Sequence, residues 1–271
     1  MIYSYSSLKA YEMCKRKFFF QFIEKVPVEQ TEALSFGSVV HAILQEAYNN
    51  LQSTEILSYN TIKPFILKHS MSVNKDLGIK IDELFKNIDY STLVPLKYKK
   101  ISKFETQIYL DKDFKRTKEY YRAKFMGVVD ALFVVPEERK IIIVDYKTSN
   151  STWVDWTQLK LYKYLANKSL LETAPIDYFD TRFIFLKHNK VEQSVFTRDE
   201  IDAQIENYLT NLIESADADY QKYLELKEEG VENVHEIIYF PTKNKLCDWC
   251  PFNSSCPALK VKEENNNQWF I

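Results

Sequence analysis

Glycine is scarce in this chain, with four residues in 271. A sequence so poor in the residue that enters left-handed backbone freely has no glycine-rich nucleotide loop, and the pattern G-x-x-x-x-G-K-[ST] is absent, which argues against a motor driven by its own P-loop. There is no run of about eighteen apolar residues, so no membrane span is expected. The opening Met-Ile-Tyr-Ser-Tyr-Ser-Ser-Leu-Lys lacks the basic and apolar regions of a signal peptide. The expected compartment is therefore intracellular (cytoplasmic) and reducing, where the four cysteines serve metal ligation better than disulfides. Charge of one sign is lacking too. A formal net charge of -2 neither suggests nor excludes nucleic acid, and local clustering decides instead. No internal repeat appears, and the polar tail Glu263 to Gln268 is expected to fray.

What is present can build a substantial core. Hydrophobic residues make up 45% and aromatic residues 15%, including 18 Tyr and 18 Phe, while charged residues stay at 27%. This is the composition of a folded globular protein. A length of 271 residues suits one large domain or two small ones.

The most informative stretch runs from Gly127 to Thr148. Two β-branched apolar runs, Val128 to Val135 and Ile141 to Val144, flank the polar corner Pro136-Glu-Glu-Arg139, which predicts a hairpin. Neither run alternates, so both strands are expected to be buried in the middle of a sheet. With the turn centred between Glu137 and Glu138, Asp130 faces Asp145 and Lys147 shares the face of Asp145. Two carboxylates and an ammonium converging there would form a small divalent-metal site. Alternatively, the strand tips emerge into water and the charges are solvated. A one-residue slip in register separates the two readings.

Around the hairpin, Ser4 to Ser7 precede an apolar pattern consistent with a capped N-terminal helix that carries Cys14. A second amphipathic helix is expected from Ser35 and Phe36, opened by Gly37 and carrying His41, a type of residue that on such a helix is more often packed than ligating. Residues 42 to about 100 read as a helical insertion, ending in Lys97, Lys99, Lys100 and Lys103 interleaved with Tyr98 and Phe104. Such a cluster can contact phosphates or form a solvated face. Phe104 to Leu110 predicts a strand in which Glu105 offers either another carboxylate or an ordinary surface charge, and Lys112 to Lys118 a basic turn. Trp153 to Leu165 predicts a helix with Gln158 and Tyr162 on one face. Arg182 to Leu186 and Val191 to Phe196 read as paired strands, and Thr197-Arg-Asp-Glu200 as a capping box starting a helix to about Leu226.

Three of the four cysteines lie in Cys247-Asp-Trp-Cys250-Pro-Phe-Asn-Ser-Ser-Cys256, and the fourth is Cys14. A tight loop supplying three thiolates and a remote helix supplying one could hold tetrahedral zinc or a cubane iron–sulfur cluster.

Together these pieces resemble the RecB-like branch of the PD-(D/E)XK nuclease superfamily, and within it the iron–sulfur nucleases, such as the CRISPR-associated RecB-like exonucleases and the AddB nuclease domain. Gly37-Ser-Val-Val-His41 looks like the family's histidine helix, Gly127-Val-Val-Asp130 like its second motif, Asp145-Tyr-Lys147 like its D/E-x-K motif and Gln158-Leu-Lys-Leu-Tyr162 like its Q-x-x-x-Y helix. Val129 stands where the superfamily's name has proline. The resemblance implies a single nuclease domain over 1–271 with a restriction-endonuclease-like α/β core, a mixed central sheet of four or five strands flanked by helices. In it, 42–100 would be the helical insertion, 101–196 the catalytic sheet core and 240–260 the cysteine loop. It implies catalytic Asp130, Asp145 and Lys147, and Mn2+ or Mg2+ held by His41, Asp130, Asp145 and the Tyr146 carbonyl. It makes Gln158 and Tyr162 contacts to DNA or supports for the active site, and favours a [4Fe–4S] cluster over zinc on Cys14, Cys247, Cys250 and Cys256. The implied activity is a DNA exonuclease on single strands or ends, working with a helicase or other nucleic-acid-processing partner. The alternative is a DNA-end-binding adaptor subunit of a recombination, repair or CRISPR-adaptation complex.

Overall fold

A computed structural model describes residues 1–28, 31–170 and 175–256. The chain forms two compact units, one from residues 1–29 with 206–271 and one from residues 30–205. The tail Glu263 to Gln268 and the end of the expected cysteine segment, 257–260, lie outside the described residues.

The first unit opens with the short strand β1 (Tyr3–Ser4) and helix α1 (Tyr5–Met13). Ser4 caps α1 reciprocally with Ser7: each hydroxyl accepts the other's backbone N–H. The helix expected to run on is broken at Cys14, whose extended backbone separates α1 from α2 (Lys15–Phe18), and a π-helical turn, Phe19–Ile23, follows. The unit is completed by α7 (Asp202–Glu228), from Glu206 onward, and by α8 (Val234–Ile238). Aromatic rings hold it together: Phe19 stacks on Tyr239 and His235, and Phe18 lies against Tyr11 and Tyr239. Polar contacts fix the angle, since Tyr3 and Tyr11 donate to Asp217 and Asp219 and buried Arg16 donates to the Tyr239 carbonyl.

The second unit is a mixed α/β fold, a central mixed sheet flanked by helices. Its strands are β2 (Ser102–Leu110), β3 (Arg116–Thr117), β4 (Phe125–Val135), β5 (Lys140–Lys147), β6 (Tyr178–Phe185) and β7 (Lys190–Thr197). They lie in the order β3-β2-β4-β5-β6-β7, so the predicted hairpin β4–β5 occupies the middle. Among the described residues of this unit, β5 and β6 pair in parallel, through the crossover helix α6 (Trp156–Leu170), and the other neighbours in this order are antiparallel. Among the described residues the unit has six strands rather than four or five, because the basic turn itself contributes the two-residue β3, paired to β2.

Helices α3 (Glu32–Asn50), α4 (Tyr59–Ser70) and α5 (Lys75–Asn87) cover a core that includes Val40, Ile43 and Tyr48 of α3 and Phe133, Val144 and Tyr146 of the sheet. Helix α3 starts four residues before the expected Phe36. The Thr31 hydroxyl accepts the Leu34 N–H, and Glu32 favours the helix N-terminus. Gly37 is therefore inside the helix, where a Cβ would come within 3.2 Å of the Thr148 hydroxyl. Helix α6 starts later than expected, because the Asp155 carboxylate accepts the Thr157 N–H and its carbonyl the Gln158 N–H, leaving Trp153 in the preceding loop. At Gly127, a Cβ would meet Leu165 Cδ1 at 2.1 Å, so glycine is what lets α6 lie close on β4. The fully buried Lys163 pins α6 from another side, donating to the Glu200 carbonyl at 2.8 Å, to the Asp202 carboxylate at 2.6 Å and to the Arg198 carbonyl. Glu200 Oε2 accepts both the Thr197 N–H and the Thr197 hydroxyl, but α7 begins only at Asp202, since Ile201 takes a left-handed φ of 65°. Among the described residues no helix is long and apolar enough to cross a membrane.

Candidate functional site

The expected register is the one the hairpin adopts. Ala131 pairs with Val144, and Val135 with Lys140, around the Pro136–Glu138 corner. Asp130 and Asp145 lie one position past the Ala131–Val144 pair, where the Tyr146 N–H donates to Asp130 Oδ2 at 2.9 Å. Asp130 sits well inside β4, which starts at Phe125, rather than at a solvated strand tip.

Three ligand atoms converge beside it. His41 Nδ1 lies 3.5 Å from Asp130 Oδ2 and 3.7 Å from Glu105 Oε1, and all three ligand atoms lie within 4.8 Å of one another. The other imidazole nitrogen, Nε2, is 2.8 Å from the Tyr146 carbonyl oxygen. With Nε2–H donating to that carbonyl, the ring orientation is fixed and Nδ1 is aimed at the carboxylates, the arrangement in which a histidine binds metal through one nitrogen and is steadied through the other. The group opens on a pocket of about 450 Å³ that Ser38, Gln45, Val128 and Tyr162 also line.

Glu105 reaches this group through a break in strand alternation. Its φ is +44°, in the left-handed region, between the regular pairs Phe104–Ala131 and Thr106–Val129. Neighbouring side chains consequently reach the same helix: Phe104 stacks on Tyr48 of α3 and Glu105 approaches His41 of α3. A strained non-glycine residue beside a charged cluster is the kind of local cost that functional sites retain. The sequence leaves Glu105 undecided between ligand and surface charge; its only signal there is a carboxylate on the strand next to Asp130.

Lys147 and Asp145 form the second half. Lys147 Nζ is 2.8 and 2.9 Å from the two Asp145 oxygens and 3.2 Å from Gln158 Oε1, and Gln158 Nε2 donates to the Tyr162 hydroxyl at 2.8 Å. The structure thus brings His41, Asp130 and Glu105 into one group. It brings Asp145, Lys147, Gln158 and Tyr162 into an adjoining chain of contacts, in which Asp145 is held by the lysine.

The electrostatics show how crowded these acids are. Burial and the neighbouring Asp145 charge push Asp130 up to about 7. Burial likewise raises Asp145, against the offsetting pull of Lys147. Burial opposes charge on His41, yet the Glu105 contact and the Asp130 charge outweigh it and raise the imidazole to about 9. Negative charge is concentrated here beyond what the protein alone neutralises. The donor set of carboxylate oxygens and one imidazole suits a divalent cation. The gaps of 3.5 and 3.7 Å exceed a normal N–H···O bond and are not far from the ~3 Å between adjacent ligands of an octahedral site with bonds of about 2.1 Å.

The four cysteines lie within the first unit. All four are free thiols and line one pocket, together with Arg16, Phe20 and Phe252. The Thr242 N–H points at Cys14 Sγ (3.5 Å) and the Asn244 N–H at Cys247 Sγ (3.3 Å).

Comparison with known proteins fits this geometry. The family model of the PD-(D/E)XK nuclease superfamily matches residues 2–257. The chain belongs to the PD-(D/E)XK nuclease superfamily. No curated protein matches. Among matching solved structures is one described as "Crystal structure of SSO0001", with 14% identity over 84% of this chain and 98% of that chain and a TM-score of 0.31.

Proposed function

We propose that this chain is a divalent-metal-dependent deoxyribonuclease of the RecB-like branch. In this reading it is one nuclease domain that hydrolyses phosphodiester bonds and acts as an exonuclease on single strands or DNA ends. The observation that carries the reading is the convergence of His41, Glu105 and Asp130 next to the Asp145–Lys147 pair in a member of this superfamily.

His41, Asp130 and Glu105 would hold Mn2+ or Mg2+, with Asp145 and the Tyr146 carbonyl as further oxygen donors. A divalent ion there supplies Lewis acidity, activating water and offsetting phosphate charge. Asp145 holds Lys147 in place through both of its carboxylate oxygens. The Lys147 ammonium orients the attacking water and stabilises charge building on the phosphate. Gln158 and Tyr162 support Lys147 and the pocket wall on the substrate side. A helicase or other nucleic-acid-processing protein would deliver the strand.

In the same reading, Cys14, Cys247, Cys250 and Cys256, which line one pocket, would hold a [4Fe–4S] cluster. Backbone N–H groups directed at two of the sulfurs favour thiolates and tune such clusters.

The test is degradation of 5′- and 3′-labelled single-stranded and duplex DNA with Mn2+, with Mg2+ and with chelator. Metal-dependent cleavage that is lost in Asp145→Ala and Lys147→Ala supports the reading; full activity in either variant sinks it. Binding to DNA ends without cleavage would favour the adaptor subunit. A brown protein whose visible absorbance vanishes on Cys→Ala substitution supports the cluster, and a colourless, stoichiometric zinc protein prepared without oxygen overturns it.

A further inference from the structure

The loop between β5 and α6 carries a feature the cleavage chemistry does not use. Trp153 is 71% exposed, although indole is among the most costly side chains to leave in water. It lines an open pocket of about 320 Å³ together with Lys147, Gln158, Ser149, Ser151 and Asp155. The loop is tied to itself and to the turn between β6 and β7: Ser149 Oγ donates to the Ser151 carbonyl at 2.7 Å, the Trp153 N–H to Ser151 Oγ at 3.1 Å, and Lys187 Nζ to Asn150 Oδ1 at 3.0 Å.

The position of this pocket gives the exposed ring a meaning. Gln158 lines it, while Tyr162, hydrogen-bonded to Gln158, lines the pocket of His41, Glu105 and Asp130. The Gln158–Tyr162 pair is thus a shared wall, and Lys147 reaches the indole side of it. One side gathers imidazole and carboxylates for an ion and a phosphate; the other offers an aromatic surface with hydroxyls and a carboxylate at its rim. The Asp155 carboxylate disfavours a phosphate in the Trp153 pocket and suits the N–H edges of a base.

Resting on the nuclease reading above, we infer that Trp153 is a stacking platform for an unpaired nucleobase adjacent to the phosphate held at Lys147. Such stacking is tolerant of sequence, because every base has a π-face. It requires an unstacked base, so Trp153 selects single-stranded or splayed DNA over a closed duplex. The indole acts here as a specificity determinant and touches no reacting atom.

The test measures equilibrium binding of the full-length protein in chelator, where cleavage plays no part. The probes are oligo(dT), the same oligonucleotide with a run of abasic sites, and a blunt duplex. Trp153→Ala is expected to weaken oligo(dT) binding about 5- to 150-fold, with Trp153→Phe retaining most of the affinity. Binding of the abasic strand and the duplex should be unchanged. Because the ring is exposed, circular dichroism should match the parent protein. Equal oligo(dT) affinity in Trp153→Ala and parent, or an equal loss on all three probes, overturns the inference. Failure of the parent protein to cleave any DNA with Mn2+ would overturn the nuclease reading instead, and the binding comparison would still decide the role of Trp153.

Discussion

The acidic group of the second unit and the cysteine pocket of the first gather candidate metal ligands in opposite ways. His41, Asp130 and Glu105 stand on a long helix and two central strands, elements whose own hydrogen bonds and core already fix them. The protein incurs a cost to hold their charges together, visible in the raised Asp130. The cysteines stand on a helix break and on short 3-10 turns, Cys247–Trp249 and Asn253–Ser255, with little buried apolar surface of their own. In the first case the scaffold makes the site and a metal relieves it. In the second, a metal group would make the scaffold, so that binding free energy becomes folding free energy.

The comparison breaks if the two sites respond alike to substitution. The largest effect is expected at Asp130→Asn, which should lower kcat/KM for DNA by about 10³-fold or more while leaving the metal-free protein as stable as the parent or more so, because a crowded buried charge is removed. Steady-state cleavage and thermal unfolding measure the two halves. Lys147→Ala should cost about 10²- to 10³-fold in cleavage, again without loss of fold. Cys14→Ala should do the reverse, removing visible absorbance and lowering the unfolding midpoint by on the order of 5 °C or more, with the cleavage rate per folded molecule much less affected. Gly127→Ala, which drives a methyl against the fully buried Leu165, should destabilise by about 1–3 kcal/mol and leave visible absorbance intact.

The smallest effect is on pH dependence. His41 and Asp130 both have raised values in the folded chain. The stability from His41 is fully present below its unfolded value of about 6.5 and is lost as pH rises through about 9. Asp130 favours the folded state most when protonated, so its contribution declines between about 4 and 7. The metal-free protein should therefore lose stability as pH climbs from 4 to 9. Stabilisation by added Mn2+ should grow over the same range, as protons cease to compete. A flat Mn2+ response from pH 5 to 9 would detach these groups from metal binding.

The hairpin was legible in the sequence because a proline corner between two unbroken β-branched runs leaves few registers, and one of them sets Asp130 against Asp145. The partnership of Gln158 with Tyr162 was legible for a similar reason, since four residues in a helix return to one face. Glu105 was not. Its recruitment depends on a left-handed φ that no propensity favours in a strand, and strict alternation would give Phe104 and Glu105 opposite faces. The start of α6 was misplaced because Asp155 competes with Trp153 for the helix N-terminus, and a capping carboxylate prevails over apolar periodicity. That displacement is what leaves Trp153 in the loop. The grouping of Cys14 with a loop more than two hundred residues away was suggested by composition; that all four line one pocket came only from the structure.

Helix α6 carries the Gln158–Tyr162 wall, and the next residue, Lys163, is clamped in the interior by two carbonyls and a carboxylate. The helix is consequently intolerant of changes in length. One residue inserted between Tyr162 and Lys163 would turn one end against the other by about 100°, leaving either the lysine without its acceptors or the wall facing away from Lys147. A lengthening that preserves both anchors would have to fall before Asp155 or after Asn167, whose amide shares the Arg198 and Asp202 acceptors.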